Sequence, residues 1–311
     1  MSNPFRGVIG HSRIITVLER MIANNTLPHA FLFVGAEGIG RSAVTEALLK
    51  TLFPEVVHLD VSADISFVKR IRDEKTDKLK TQISVKQIRA LTSRLAMSAM
   101  GGGWKAGVIE EADRLSIGAS NALLKTLEEP KGKTILILHA QSTESVLATI
   151  ASRCQIVRFY PVAESDITTG LAKLGFAKSD ALEAAENAFG RPVNAVRFLK
   201  DSAYRSTYET GRSSVAYAFA GSITEKLRAA TDMVPKAEAN KAVVLASSLD
   251  RAEEVLRAQL HRQLGLTGVH ADENLSLSIN QVVHSLERLS EVRESTRQNI
   301  NPHLALEHLF L

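Results

Sequence analysis

A glycine-rich stretch near the N-terminus has the spacing of a phosphate-binding loop. Gly35 and Gly40 frame it, Gly38 lies between them, and Arg41 and Ser42 follow directly. In such loops backbone N–H groups surround the phosphates, a lysine reaches the terminal phosphates and the hydroxyl holds magnesium. Arg41 stands at the lysine position, where its planar guanidinium must tilt or retreat to fit the same space. The pattern predicts a nucleotide-binding ancestry, with a plain strand-to-helix turn as the alternative.

Two carboxylates, Glu110 and Glu111, follow the apolar segment 105–109. In many nucleotide hydrolases an aspartate at the end of such a strand organises magnesium, and the next glutamate polarises the attacking water. Glu110 occupies the aspartate position, where its added methylene moves the carboxylate by ~1.5 Å. An error of roughly 1 Å can cost about 100-fold in rate. We therefore predict a degenerate site, the alternative being an acidic strand end and helix cap made by Glu110, Glu111 and Asp113.

A third candidate is Arg153, which lies between Ser152 and Cys154. Without its sequence context, an arginine here is best interpreted as a solvated side chain at a helix end.

Cys154 is the single cysteine of the chain, so an intramolecular disulfide framework and a multi-cysteine zinc site are excluded. We interpret it as a small buried hydrophobe without a redox role.

Length and composition indicate a folded protein of several domains. The chain has 311 residues, 45% of them hydrophobic, which is enough for two or three domains at roughly 100–200 residues each. Its 38 basic and 34 acidic residues give a net charge of +4, too weak to indicate nucleic-acid binding. No apolar secretory segment and no run of ~20 apolar residues is present, so we expect a soluble, cytoplasmic protein without membrane contact.

Apolar runs in the first half predict strands that alternate with helices. The predicted strands are 30–34, 55–61, 105–109, 134–138 and 155–159, and the helices between them include 84–98, 116–129 and 143–150. This alternation favours a parallel sheet with helices on both faces.

Beyond residue 161 nearly every segment has the pattern of an amphipathic helix. One predicted apolar stripe consists of Leu245, Leu249, Ala252, Leu256, Leu260 and Leu264. We predict an α/β domain at 1–160, a small helical domain at 161–205 and an all-helical domain at 206–311.

Six short segments occur in this chain, and their order and spacing are more specific to one family than any single segment is. They are residues 8–10, 27–33, 111–115, 121–130, 152–154 and 299–309. Together they resemble the clamp-loader family of bacterial DNA polymerase III, a branch of the AAA+ proteins. The resemblance implies an AAA+ domain, a helical lid domain and an all-α collar domain.

The resemblance also implies a function. Clamp loaders assemble from gamma or tau, delta and related chains, and they open the sliding clamp and place it on primed DNA in the bacterial replisome. Some members are stators with a degraded ATP site. Carried onto this chain, Arg153 is the arginine that completes a neighbouring subunit's ATP site, where such a residue can be worth roughly 10³ to 10⁵ in rate.

Departures from the family pattern weaken the chain's own ATP site further. His139 lies near the position where a threonine or asparagine is expected after the strand, and Val193 stands at an expected arginine. The segment 53–83 lacks the four zinc cysteines of some members, and its charged part, 69–80, is predicted to be a solvated surface element. We expect no required cofactor and no zinc, with residual ATP, ADP or phosphate binding at the glycine loop as the open possibility.

Two other functions compete with the stator. One is an active gamma- or tau-like ATPase that works with Arg41 and Glu110, and the other is a helical interaction protein outside replication. Direct DNA contact also stays open, because Lys86, Arg89 and Arg94 could follow a phosphate backbone or form a plain solvated helix face.

Overall fold

The computed structural model describes residues 3–99, 103–234, 238–265, 275, 277–296 and 301–311. The chain divides into two compact units. Unit 1 comprises residues 1–181 and 190–194, and unit 2 comprises 182–189 and 195–311. The three-domain division predicted from the sequence, with boundaries at 160 and 205, remains a prediction.

Unit 1 is built on a five-stranded sheet in which every neighbouring pair is parallel. In chain order the strands are β1 Ala30–Val34, β2 Ile65–Val68, β3 Lys105–Ile109, β4 Thr134–Ala140 and β5 Gln155–Arg158. Their spatial order is β2-β3-β4-β1-β5. The strands are near-continuous apolar runs because both faces of the sheet are covered. The predicted parallel α/β architecture is confirmed.

Helices cover the sheet through two separate core clusters. The helices of unit 1 are α1 Ser12–Ala23, α2 Arg41–Leu52, α3 Val85–Ala96, α4 Ile117–Glu128, α5 Ala148–Ala151 and α6 Glu164–Lys173. Two further helices, α7 Lys178–Asn187 and α8 Pro192–Lys200, have residues in both units. Along β1, Leu32 joins a cluster with residues of α3 and α4, whereas Phe31 and Phe33 join a cluster with residues of α1 and α2. This alternation follows from the two-residue period of a strand.

The structure corrects the strand predicted at 55–61. That segment ends in a 3₁₀ turn at Leu59–Val61, and the strand is β2, which begins four residues later at Ile65. Val57 and Val61 are 81% and 77% exposed. β-branched residues favour strands mainly through packing against neighbours, and these two side chains remain in solvent.

The helix predicted at 143–150 is shorter and later in the structure. Only α5, Ala148–Ala151, is α-helical in this stretch. Before it, the Ser145 hydroxyl donates to the Ser142 carbonyl at 2.7 Å. Side-chain bonds of this kind offer the backbone an alternative to helix formation. Because α5 ends at Ala151, Arg153 lies just beyond a helix end, as the sequence predicts.

Among its described residues, unit 2 consists of helices and the connections between them. Its main helices are α9 Ser202–Ala220, α10 Ile223–Met233, α11 Glu238–Gln263, α12 Ile279–Thr296 and α13 Pro302–Phe310. The stripe predicted on α11 is buried at Leu245, Leu249, Ala252 and Leu256 and partly buried at Leu260, whereas Leu264 is 56% exposed beyond the helix end. The mostly helical C-terminal region is confirmed. In the described ranges, none of the helices has the length and apolar content needed to cross a bilayer.

Helix α4 is fixed at its start and along one face. The Ser116 hydroxyl accepts a hydrogen bond from the Ala119 N–H and so caps the first turn. Ala119, Leu123 and Leu127, spaced four residues apart, are buried in one core cluster. The helix therefore presents its last residue, Glu128, from a rigid support.

Truncating the buried face of α4 should destabilise unit 1. Leu123→Ala is expected to lower its free energy of unfolding by about 2–5 kcal/mol, because the side chain is fully buried and its removal leaves a cavity. Ile117→Ala on the same helix is the control, with an expected loss below about 0.5 kcal/mol, because Ile117 is 76% exposed. Trp104, the single tryptophan, packs against a unit 1 core cluster, so its fluorescence during urea denaturation measures both. Equal losses of unfolding free energy in the two variants would contradict the burial of Leu123.

Candidate functional site

The glycine loop connects β1 to α2 and requires glycine at several positions. Gly38 and Gly40 have φ angles of +77° and +112°, a region that side chains rarely adopt. A Cβ on Gly35 would lie 2.9 Å from both the Cβ and the carbonyl oxygen of Phe159. Helix α2 starts immediately after Gly40, so the free N–H groups of its first turn adjoin the loop.

Arg41 turns toward the sheet. Its Nη1 donates to the carbonyl oxygen of Ala140, the last residue of β4, at 2.5 Å. Burial lowers the pKa of Arg41, while the carboxylates of Asp113 and Glu37 act in the opposite direction. A lysine at this position of the loop would reach for phosphate. The Arg41 guanidinium instead donates one N–H to the backbone of its own chain.

The segment 190–194 lies against the glycine loop from the other side. The Val193 N–H donates to the Gly38 carbonyl at 3.1 Å. A Cβ on Gly38 would clash with the Asn194 side-chain amide. Val193 itself is 43% exposed and apolar, so the residue predicted at the arginine position brings no charge to the loop.

Glu110 lines a cavity of about 500 Å³ beside the start of α2. Ser42, Thr45, His139 and Lys50 are among the other lining residues. The backbone N–H of Glu110 donates to the Val68 carbonyl at 2.9 Å, which fixes its position beside β2. The structure therefore brings Ser42 and Glu110 to one cavity, as the paired site predicted from the sequence requires.

Glu111 is bound by an arginine of its own chain. Arg70, two residues after β2, donates from Nη2 to Glu111 Oε1 at 2.7 Å and from Nε to both carboxylate oxygens at 3.0 Å. Burial acts to raise the pKa of Glu111, but the hydrogen bonds and charge of Arg70 outweigh it and lower that pKa. A carboxylate held in this way is a weak base for activating water.

His139 is a buried, neutral side chain at the back of the cavity. It is 3% exposed, its Nε2 lies 2.8 Å from Thr45 Oγ1, and its ring stacks on Phe33 with centroids 5.9 Å apart. Burial, helped by the charge of Arg41, lowers the pKa of His139 to about 3. The side chain therefore carries no charge near neutral pH and contributes packing and one hydrogen bond.

Arg153 lies at the opposite edge of the sheet from the glycine loop. In the parallel pair of β1 and β5, Phe31 is opposite Gln155 and Val34 is opposite Arg158. The glycine loop follows Val34 at the carboxyl end of β1, whereas Arg153 precedes the amino end of β5. The three residue steps from Phe31 to Val34 along β1 already separate the two edges by about 10 Å. The structure does not bring Arg153 to its own chain's loop.

The Arg153 side chain is partly exposed and held by two helices. It is 36% exposed, and its Nη2 lies 2.7 Å from Glu128 Oε1 at the end of α4. Its Nη1 donates to the Thr149 carbonyl of α5 at 3.0 Å. The next residue, Cys154, is partly buried against a core cluster, and burial raises the pKa of its thiol to about 12.

The charged segment 69–80 forms a turn closed by an antiparallel bridge between Arg72 and Leu79. The Asp73 carboxylate accepts from the N–H groups of Lys75 and Thr76, which fixes the turn. Most of its side chains are exposed, as predicted. Across the part of the chain that the structure describes, no group of three or more His, Cys, Asp or Glu residues is placed to hold a metal.

Three contacts of the site were not predictable from local sequence. Arg70 binds Glu111 across 41 residues, His11 Nε2 lies 2.7 Å from the Ile39 carbonyl across 28 residues, and Asn194 meets the loop from α8. Burial lowers the pKa of His11, against the effect of its hydrogen bond to the backbone. For Arg70, the only signal in the sequence is a basic residue two positions after a strand, and this signal does not identify Glu111 as its partner.

Comparison with known proteins relates the first half of the chain to DNA polymerase III subunits. The family model described as "DNA polymerase III, delta subunit" matches residues 10–163. A DNA polymerase III subunit delta' of Haemophilus influenzae is 38% identical over 120 residues, which are 38% of this chain and 37% of that protein. The subunit delta' of Bacillus subtilis is 29% identical over 177 residues, 52% of this chain and 54% of that protein. The chain thus spans between about a third and about half of the length of these relatives.

A solved structure extends the likeness in fold over nearly the whole chain. A DNA polymerase III gamma subunit-related protein from Thermotoga maritima superposes with a TM-score of 0.54 and covers 96% of this chain and 97% of that one. At 17% identity this likeness concerns the fold alone. It agrees with the predicted architecture, a parallel sheet with helices followed by a mostly helical region.

The buried His139 should make unit 1 sensitive to acid. Its pKa is about 3 in the folded chain against an ordinary 6.5, so the unfolded state binds the proton first as the pH falls. Its contribution to stability is complete above about pH 6.5 and declines toward pH 3, by up to ~1.4 kcal/mol per pH unit. Urea denaturation at about pH 7 and pH 5, followed by Trp104 fluorescence, should show a smaller loss in His139→Asn than in the unchanged chain. Equal losses would contradict a buried neutral histidine.

Proposed function

Because this chain belongs, through residues 10–163, to the clamp-loader family of DNA polymerase III subunits, we propose that it is a stator of the delta-prime type. In this role it assembles with gamma or tau and delta subunits in the bacterial cytoplasm. The assembly loads the sliding clamp onto primed DNA. The chain donates Arg153 to a neighbouring ATP site and does not hydrolyse ATP itself.

The position of Arg153 is the observation that carries this proposal. It lies across the sheet from its own glycine loop, so it cannot neutralise charge on a phosphate bound there. A partly exposed guanidinium at a sheet edge can instead reach a phosphate held by an adjacent subunit. An arginine supplied in trans stabilises the charge that develops on a transferring phosphoryl group.

The contacts of the side chains around the glycine loop support the proposal that the chain does not hydrolyse ATP itself. The Arg41 guanidinium is directed to the end of β4, and the Glu111 carboxylate is paired with Arg70. His139 is neutral, and its Nε2 is paired with Thr45. These side chains are therefore committed to partners of their own chain. Ser42 and Glu110 still line a cavity, which leaves residual binding of ATP, ADP or phosphate compatible with the absence of hydrolysis.

Unit 2 supports assembly with partner chains. It exposes several large apolar side chains on its helices, namely Tyr217, Ile223, Ile279, Val283 and Leu304, which are 42–68% exposed. Contiguous exposed apolar patches are typical of surfaces that bind other proteins, and these side chains on α9, α10, α12 and α13 are the candidates for such a patch. We assign unit 2 the role of packing against the corresponding helical regions of gamma or tau and delta.

Arg153→Ala should reduce DNA-stimulated ATP turnover in the reconstituted loader by about tenfold or more. The physical reason is the loss of a positive charge at the neighbour's phosphate. Steady-state phosphate release in the presence of clamp and primed DNA measures it, and gel filtration confirms that the assembly is intact. Arg20→Ala, which removes an exposed arginine from α1, is the control and should leave turnover unchanged. Unchanged turnover for Arg153→Ala in an intact assembly would remove the trans role.

The purified chain alone should show no ATP turnover above that of a glycine-loop variant. Gly38→Val is suitable because a side chain at this position meets Asn194 and an unfavourable φ, and Glu110→Ala tests the same site without backbone strain. Phosphate release is measured at high protein concentration with primed DNA and clamp. Turnover that disappears in both variants would instead assign the chain to the active gamma- or tau-like class.

A further inference from the structure

The guanidinium of Arg153 is held at both terminal nitrogens. Nη2 contacts Glu128 Oε1 at 2.7 Å. Nη1 donates to the Thr149 carbonyl at 3.0 Å and lies 3.4 Å from Ser152 Oγ. A guanidinium has more N–H donors than these three contacts use, so donors remain for a further acceptor. The side chain therefore has a fixed direction and keeps N–H donors available for a further acceptor.

The two supports of this arginine share one core. Leu127, next to Glu128, and Ile150, next to Thr149, are fully or almost fully buried in the same hydrophobic cluster. The ends of α4 and α5 thus have a fixed separation, and the Glu128 carboxylate is presented to Arg153 from a packed backbone. A long side chain that would otherwise sample many rotamers is restricted before any partner arrives.

We propose that Glu128 is a positioning residue for Arg153: it orients the guanidinium toward the neighbouring subunit's ATP. This inference rests on the proposed trans role of Arg153. Glu128 itself touches neither the phosphate nor the attacking water, and it acts by reducing the cost of ordering the arginine at the moment of reaction.

The exposure of the pair is consistent with positioning. The side chains of Arg153 and Glu128 are 36% and 50% exposed. Ion pairs at such sites are weak because solvent screens them, so the arginine can turn a donor to a phosphate without first breaking a strong bond. A deeply buried pair would hold the arginine away from its target.

Glu129 provides a matched control. It is the neighbouring carboxylate, it forms the C-terminal cap position of α4, and it is exposed. Its replacement changes the net charge by the same amount at nearly the same place. The hydrogen bonds and the ion pair that the structure gives Arg153 go to Thr149, Ser152 and Glu128, and none goes to Glu129.

The experiment is a double-mutant cycle in the reconstituted loader with clamp and primed DNA. Glu128→Ala should lower kcat for ATP turnover by about two- to fivefold and leave KM for ATP unchanged, because the arginine is disordered while nucleotide binding is intact. Glu128→Gln, which keeps an oxygen acceptor, should recover part of the loss. Glu129→Ala should resemble the unchanged loader. In the Arg153→Ala background, Glu128→Ala should have no further effect, since residues that act together are non-additive.

The outcomes separate this inference from the function on which it rests. If Arg153→Ala lowers turnover and Glu128→Ala does not, positioning is wrong and the trans arginine stands. If Glu128→Ala lowers kcat equally in the Arg153→Ala background, the glutamate acts through the fold, and positioning is again wrong. A rise in turnover would identify Glu128 as a restraint, the opposite role. If neither single substitution changes turnover, both proposals are overturned. Trp104 fluorescence and gel filtration on every variant verify folding and assembly.

Discussion

The direction of the strands is the constraint on which the candidate site depends. Because all five strands run parallel, the segments that follow strands gather at one edge of the sheet, and those that precede strands gather at the other. The glycine loop and the acidic pair follow β1 and β3, whereas Arg153 precedes β5. One chain therefore has a glycine-loop edge and an arginine edge that cannot meet within it. Subunits that join through two such different edges form a heterologous, head-to-tail interface, and a row of them has a direction.

Charged and polar groups around the glycine loop have partners within the chain. Arg41 binds a carbonyl at the end of β4, Arg70 binds Glu111, and Thr45 binds His139. A buried polar group without a partner is costly, so these internal hydrogen bonds stabilise the site without a ligand. The glycines persist for a separate reason. Gly35 and Gly38 are required by the close approach of Phe159 and Asn194, whether or not a phosphate binds.

The sequence predicts the parts of the fold that depend on local pattern, and it fails where distant contacts decide. The strands 30–34 and 105–109 have the predicted bounds because each is a buried apolar run. The strand expected at 55–61 is absent because Val57 and Val61 find no packing surface, which periodicity alone does not reveal. At the site, residue types and spacing predict the glycine loop and the acidic pair, and the family resemblance adds Arg153. They do not identify Arg70 and Glu128, because the contacts of these two side chains are set by how separate elements meet.

Cys154 gives the arginine edge a chemical property of its own. Its thiol packs against a core cluster, and burial raises its pKa to about 12, so the protonated thiol predominates at neutral pH. Oxidants and alkylating agents react with the thiolate form. Burial therefore makes the residue bonded directly to Arg153 less reactive than an exposed cysteine toward these reagents.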